Sequence, residues 1–159
     1  MITLRKITAD NLWDVVALQV GEEQRSFVAD NTRSLLEAYV SITNGGVALP
    51  FGIYADDTPV GFLMLSYGCK DWPDAPTIAH DNYSLWRLMI DRRYQGRGYG
   101  RASLKAALEY IRTLPCGPAT CCWLSYEPEN VAAKRLYHSF GFEETGQYDG
   151  NEIIAALPL

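Results

Sequence analysis

The chain reads as an α/β (α+β) domain with the element order β-α-α-β-β-β-α-β-α-β across residues 1–159. Three observations predict this. Some stretches alternate apolar and polar residues, while others repeat apolar residues three and four apart, so strands and helices are interleaved. Turn-forming pairs and prolines separate these stretches, and no internal repeat, low-complexity segment or Pro/Ser-rich linker divides them. A length of 159 residues, 48% of them hydrophobic and 21% charged, suits one domain with a full core.

Residues 2–7 form the first strand, with Ile2, Leu4 and Lys6 on one face and Thr3, Arg5 and Ile7 on the other. Residues 10–20 are helical on the spacing of Leu12, Val15, Val16 and Gln19, residues 21–30 are a connector or short helix, and residues 32–41 are a further helix. Gly45-Gly46 is a turn. Residues 50–55 and 59–68 make a hairpin around the acidic turn Asp56-Asp57-Thr58. Pro73 and Pro76 mark residues 70–80 as a loop. A strand over 83–91 leads to a helix over 99–112, with Leu104, Leu108 and Ile111 as its core stripe. A strand over 120–126, a helix over 129–140 and a strand over 152–157 complete the chain.

The most telling stretch is Gln95-Gly96-Arg97-Gly98-Tyr99-Gly100-Arg101, between the strand and the helix of residues 83–112. The first N–H groups of a helix have no internal partner and carry the positive end of its dipole. Glycines at 96, 98 and 100 allow positive φ and keep Cβ atoms away from a ligand, so successive N–H groups can form an anion-binding nest. Arg92, Arg93, Arg97, Arg101 and Lys105 lie in an acid-free stretch of a chain whose net charge is −5. A local positive island in an acidic protein suits a small polyanion rather than nucleic acid, which favours a broad basic face. The motif is not a P-loop, since no Gly-Lys-Ser or Gly-Lys-Thr occurs, and its last spacing breaks the dinucleotide pattern G-x-G-x-x-G.

A second constellation runs from Ser125 to Phe142. Pro128 suits a first helical turn and Gly141 a helix stop. Ala132, Leu136 and Phe140 give a core face, and Asn130, Lys134 and Tyr137 a separate polar stripe that a linear ligand could follow.

The spacing Gln95-x-x-Gly98-x-Gly100, with Asn130, Tyr137 and Gly141-Phe142 downstream, resembles the GNAT superfamily of N-acetyltransferases. The resemblance covers the whole chain and is sharpest over residues 84–142. It implies a central mixed, mostly antiparallel sheet of six to seven strands flanked by helices. It also implies that acetyl-coenzyme A is the cofactor, its pyrophosphate held at Gln95 to Arg101. Backbone groups of Leu88, Met89 and Ile90 would bond the pantetheine amides, because the strand before the glycine turn pairs poorly with the next. Asn130 and Lys134 would line the arm, and Tyr137 would sit near the sulfur and donate a proton to the departing thiolate.

Such a reaction needs a neutral amine, and a free alkylammonium has a pKa of ~10. The candidates for a base are Glu22, Glu23, Asp81 and Glu127. The acceptor side in this family is built by residues 21–27 and 71–81, both acidic and aromatic here, which suits a cation. The run from Glu22 through Phe27 to Ala38 resembles a bacterial GNAT subgroup that includes spermine/spermidine acetyltransferases. The expected acceptor is therefore a polyamine, with Glu22, Glu23 and Asp81 as substrate residues. The rivals are a protein amino terminus or other small amine and, from another class, a non-catalytic acyl-coenzyme A sensor or scaffold.

No apolar run approaches the ~20 residues of a membrane span. Residues 1–7 lack the apolar core of a signal peptide. Cys69, Cys116, Cys121 and Cys122 make no Cys-x-x-Cys pair and His80 and His138 lie far apart, so no metal site is expected. Reduced thiols in a cytoplasmic setting are the simplest account. Trp13, Trp72 or the last strand could serve a homodimer contact.

Overall fold

A computed structural model describes residues 1–159. The elements are β1 (Ile2–Lys6), α1 (Leu12–Val16), α2 (Asn31–Thr43), β2 (Val47–Ala55), β3 (Thr58–Tyr67), β4 (Tyr83–Ile90), α3 (Tyr99–Arg112), β5 (Cys121–Tyr126), α4 (Val131–His138), β6 (Glu143–Asp149) and β7 (Glu152–Pro158), with 3-10 turns at Glu22–Gln24 and Thr77–Ala79. One seven-stranded sheet has the order β1-β2-β3-β4-β5-β7-β6. All neighbours are antiparallel except β4 and β5, which run parallel. Two apolar layers cover its faces. Leu63, Leu65 and Leu85 pack with Leu104, Leu108 and Ile111 of α3 on one side. Phe62, Met64 and Met89 pack with Val15, Leu18 and Ala38 on the other.

Three features differ from the sequence reading. The first helix ends at Val16 rather than running to residue 20. Beyond it the chain is drawn to the end of β4: Gln19 N–H donates to Asp91 Oδ2 (2.9 Å), and Arg92 N–H donates to the Gln19 carbonyl (2.9 Å). A strand, β6, lies where none was expected. Its sequence Glu-Glu-Thr-Gly-Gln-Tyr-Asp has no apolar alternation because it is the outer edge of the sheet. Pro128 precedes α4 instead of entering it; Asn130 is the N-cap, its Oδ1 accepting from Ala133 N–H at 3.2 Å. The residues of α4 turned inward are Ala133, Leu136 and Tyr137, joined by Phe140 just after the helix, while Ala132 is exposed.

The dimer expectations change as well. Trp72 is half-buried and stacks edge-on against Trp86 (6.0 Å), and β7 lies between β5 and β6, so its edges are paired within the sheet. Trp13 is 74% exposed.

One register fault positions the functional site. β4 and β5 pair only at Tyr83↔Cys122 and Ser84↔Trp123 and then part. On its other edge β4 stays paired with β3 to Ile90, with a bulge at Trp86 between the Leu65↔Leu85 and Met64↔Arg87 pairs. The gap between β4 and β5 therefore opens in the middle of the sheet.

Candidate active site

A cleft of about 700 Å³ passes through this gap. It is lined by the glycine turn, α4, β4, β5 and residues 24–29.

Backbone alternation decides what β4 presents to it. Asp91 N–H donates to the Val60 carbonyl (2.9 Å), so Asp91 and Met89 turn their backbone groups to β3, while Leu88 and Ile90 turn theirs to the gap. The Met89 carbonyl agrees with this sense, since a Cβ built on Gly61 of β3 would run into it. Met89 contributes its buried side chain to the core while also lining the cleft. Leu88 and Ile90 turn their backbone to the gap, where the Ile90 carbonyl is taken by Gln95 Nε2 and the Leu88 groups and the Ile90 N–H stay outside the β3 pairing.

The glycine turn follows. Gly96 (φ 75°) and Gly98 (φ 79°) are left-handed, and Gly98 is the N-cap of α3 without a side-chain cap. The first helical bond of α3 runs from Ala102 N–H to the Gly98 carbonyl (3.1 Å), which leaves the N–H groups of Tyr99, Gly100 and Arg101 outside the ladder. A Cβ at Gly96 or Gly98 would meet nothing within 4 Å, so the space beside the turn is open. An uncapped 14-residue helix, a left-handed turn and a free strand edge leading to it fit a diphosphate that carries an extended amide chain. Gln95 locks the turn: its Nε2 donates to the Ile90 carbonyl (2.9 Å) and to Gln24 Oε1 (2.7 Å), joining the turn to residues 24–29.

The cleft is lined by Gln95, Gly96, Gly98, Tyr99, Gly100, Asn130 and Tyr137, as the sequence predicts. Arg97, Arg101 and Lys134 do not line it. Arg97 donates to the Arg93 carbonyl (3.2 Å), Arg101 donates to Ser139 Oγ (2.8 Å) and lies over the Phe140 ring, and Lys134 pairs with Glu144 (2.7 Å). Asn130, Lys134 and Tyr137 are therefore not one stripe: Tyr137 belongs to the inward face, and Lys134 turns toward β6.

The Tyr137 ring is half-buried between Tyr126 (5.9 Å) and Phe142 (6.0 Å). Desolvation, then the charge of Glu152 and the Cys122 thiol, push its phenol well above the ordinary value, so it stays protonated. It can donate a hydrogen bond to a leaving atom that gains negative charge. Tyr126 is engaged elsewhere, donating to Glu144 Oε1 at 2.8 Å.

Of the acids named from sequence, only Glu127 lines the cleft. Glu22 and Glu23 point outward from the 3-10 turn, whose third residue, Gln24, is the one that reaches in; Asp81 is exposed and paired with Lys70 (3.1 Å). Sequence reasoning missed Asp149 and Glu152, which flank the β6–β7 turn Gly150-Asn151 and do line the cleft. The Asp-Gly pair was a readable hairpin signal. Asp149 is half-buried, and burial followed by the Asp74 charge raises its pKa. Trp86 and Trp123 complete this wall, beside Arg87, whose guanidinium is held by Glu37 (2.7 Å). No three His, Cys, Asp or Glu side chains converge on a metal position.

A split parallel pair, a left-handed turn and an uncapped helix invite comparison with known proteins. The family model for the acetyltransferase (GNAT) family matches residues 13–142. The chain belongs to the GNAT family. It is 32% identical over 154 residues to the spermine/spermidine N(1)-acetyltransferase of Bacillus subtilis strain 168, covering 94% of this chain and 93% of that one. It is 38% identical over 91 residues to the ribosomal protein bS18-alanine N-acetyltransferase of Escherichia coli K12, covering 52% of this chain and 60% of that one. Among solved structures, the aminoglycoside acetyltransferase AAC(6')-Ib in complex with coenzyme A superimposes with a TM-score of 0.81 at 17% identity, covering 99% of this chain and 95% of that one. As a GNAT member, the chain is an N-acetyltransferase that uses acetyl-coenzyme A.

Proposed function

We propose that this acetyltransferase acts on a polyamine such as spermine or spermidine. The observation that carries the reading is Asp149: a half-buried carboxylate in the cleft, pushed up by burial and by Asp74, with no cation paired to it. Such a group gains when an ammonium arrives. Trp86 and Trp123 line the same cleft, and Trp86 already carries the Arg87 guanidinium over its ring (5.7 Å), so this wall accepts a cation. The 32% identity to a spermine/spermidine acetyltransferase over nearly the full chain supports the same class.

In this reading the N–H groups of Gly98 to Arg101 hold the diphosphate, and the Leu88 and Ile90 backbone holds the amide arm. Asn130, whose Oδ1 is committed to the helix cap, keeps its Nδ2 for the same arm. Bound acetyl-coenzyme A supplies an activated acyl carbon and a thiol leaving group. A free N–H of β4 steadies charge on the acyl oxygen. Tyr137 donates to the sulfur; a phenol and a thiol have ordinary pKa values of ~10 and ~8.5, so a strengthening hydrogen bond is the favoured form of that help.

Thiol release from acetyl-coenzyme A should be fastest with spermine or spermidine when these are compared with an alanine-ended peptide and an aminoglycoside. Faster release with either of the others would refute the polyamine assignment.

A further inference from the structure

We infer that Ser125 and Glu152 form a proton relay that serves the attacking nitrogen. Ser125 stands on β5 two residues past the last β4–β5 pair, where the sheet has opened. Glu152 begins β7, diagonal to it on the same face, since Ser125 pairs with Ile154. Ser125 Oγ donates to Glu152 Oε2 at 2.6 Å, and both residues line the cleft. A hydroxyl that gives its proton to a carboxylate keeps its lone pairs free to accept another. The lone pairs of Ser125 are thus available on the acceptor side of the gap.

The neighbours of Glu152 are consistent with this role. Its charge is felt by Tyr137 from α4 and by Arg87 from β4. Asp149 faces it across the β6–β7 turn, and Glu127 lines the same cleft from beyond β5. Arg87 is already held by Glu37, so Glu152 is not tied up as that residue's counter-ion.

The chemistry selects which proton moves. Free alkylammonium and carboxyl groups differ in acidity by about 10⁶, so a carboxylate cannot hold the first proton; it is lost to bulk solvent in a pre-equilibrium that at pH 7 leaves about one amine in 10³ neutral. Once the nitrogen lone pair enters the new C–N bond, the nitrogen becomes positive and its remaining N–H strongly acidic. That N–H bond then breaks, its electrons stay on nitrogen, and the proton bonds to Ser125 Oγ. Ser125 passes its own proton to Glu152, leaving a neutral nitrogen on the tetrahedral adduct, an intact hydroxyl and a carboxylic acid that later returns the proton to solvent. The acyl oxygen then re-forms its double bond to carbon as the C–S bond breaks, and the electrons of that bond leave with the thiolate, which gives the amide.

This rests on acetyl transfer itself and not on which amine accepts, so it is tested with the best acceptor found for the unaltered enzyme. A failed polyamine assignment would be visible in that enzyme; a failed relay shows only in the variants. Glu152→Gln and Ser125→Ala are each expected to lower kcat by about 10²–10⁴, with acceptor KM and calorimetric affinity for coenzyme A nearly unchanged. Added formate should restore part of the turnover of Glu152→Ala but not of Glu152→Gln. A raised KM at unchanged kcat would make Glu152 a substrate anchor and overturn the relay, as would absence of rescue. Should the Glu152 variants lose coenzyme A binding, Ser125→Ala decides alone, and unchanged turnover in it refutes the proposal.

Discussion

Tyr137 is the side chain proposed to donate to the departing sulfur. Replacing it by Phe keeps the ring contacts with Tyr126 and Phe142 and removes only the donor. Turnover should fall by about 10²–10⁴ while coenzyme A affinity, measured by calorimetry, holds. Because its phenol is raised above the ordinary value, Tyr137 should impose no loss of kcat as pH climbs toward ~10, the value of a free phenol. Asp149 behaves oppositely to a stabilising acid. Its folded pKa is raised, so the protonated form favours folding and the ionised form at neutral pH opposes it. Asp149→Asn should therefore melt at a higher temperature than the parent at pH 7, yet bind spermine more weakly by calorimetry. Parent affinity for spermine should also decline as acid protonates Asp149. Tyr137 was readable from its place seven residues after Asn130. Asp149 was legible only in part: Asp149-Gly150 signals a hairpin, but the polar edge strand before it shows no strand period that would place the carboxylate.

The same division holds for whole elements. The helices were legible where a cap or a stripe marked them. Asp30 caps α2 by accepting from Arg33 N–H (2.7 Å), and Asp30→Ala should cost about 1 kcal/mol in urea unfolding. The stripe Leu104, Leu108 and Ile111 of α3 is fully or almost fully buried, as its spacing predicts. The start of α3 is the functional part. Gly98 sits at φ 79° with open space around it, so Gly98→Ala strains the backbone without meeting a neighbour. Its stability loss should be about 1 kcal/mol, and coenzyme A affinity should fall with it; unchanged affinity would show that this turn does not hold the diphosphate. The early end of α1 was not legible, because its cause is Asp91, seventy-two residues from Gln19. That buried carboxylate is pushed up by burial but held below the usual range by Arg93 and by the Gln19 and Arg93 amides.

At the scale of the molecule, the sheet is a support with one deliberate fault, the parting of β4 and β5 after two paired residues. Ligand that fills the fault should stabilise the fold: coenzyme A at about 100 times its Kd should add about 2.7 kcal/mol, read as a rise in melting temperature. Alkali should do the reverse. Burial pushes the Cys69 thiol up to about 11 and the Cys122 thiol up to about 12, and burial with the Glu144 bond pushes the Tyr126 phenol up to about 12. The stability these protonated groups contribute is complete below their ordinary values of 9.0 and 10.0 and is lost as pH rises through the shifted ones. The melting temperature should thus drop between about pH 9 and 12. No helix is long and apolar enough to cross a membrane. By itself the sequence determined the class of the fold, and it marked the left-handed glycine turn and the place of Tyr137 in the cleft, because these depend on backbone dihedrals and helical spacing over a few residues. The tertiary structure alone decided which acids line the cleft, since Glu22, Glu23 and Asp81 stay outside it while Asp149 and Glu152 arrive on a hairpin folded beside the open strands. Such meetings depend on where distant strands part, and no local period records that.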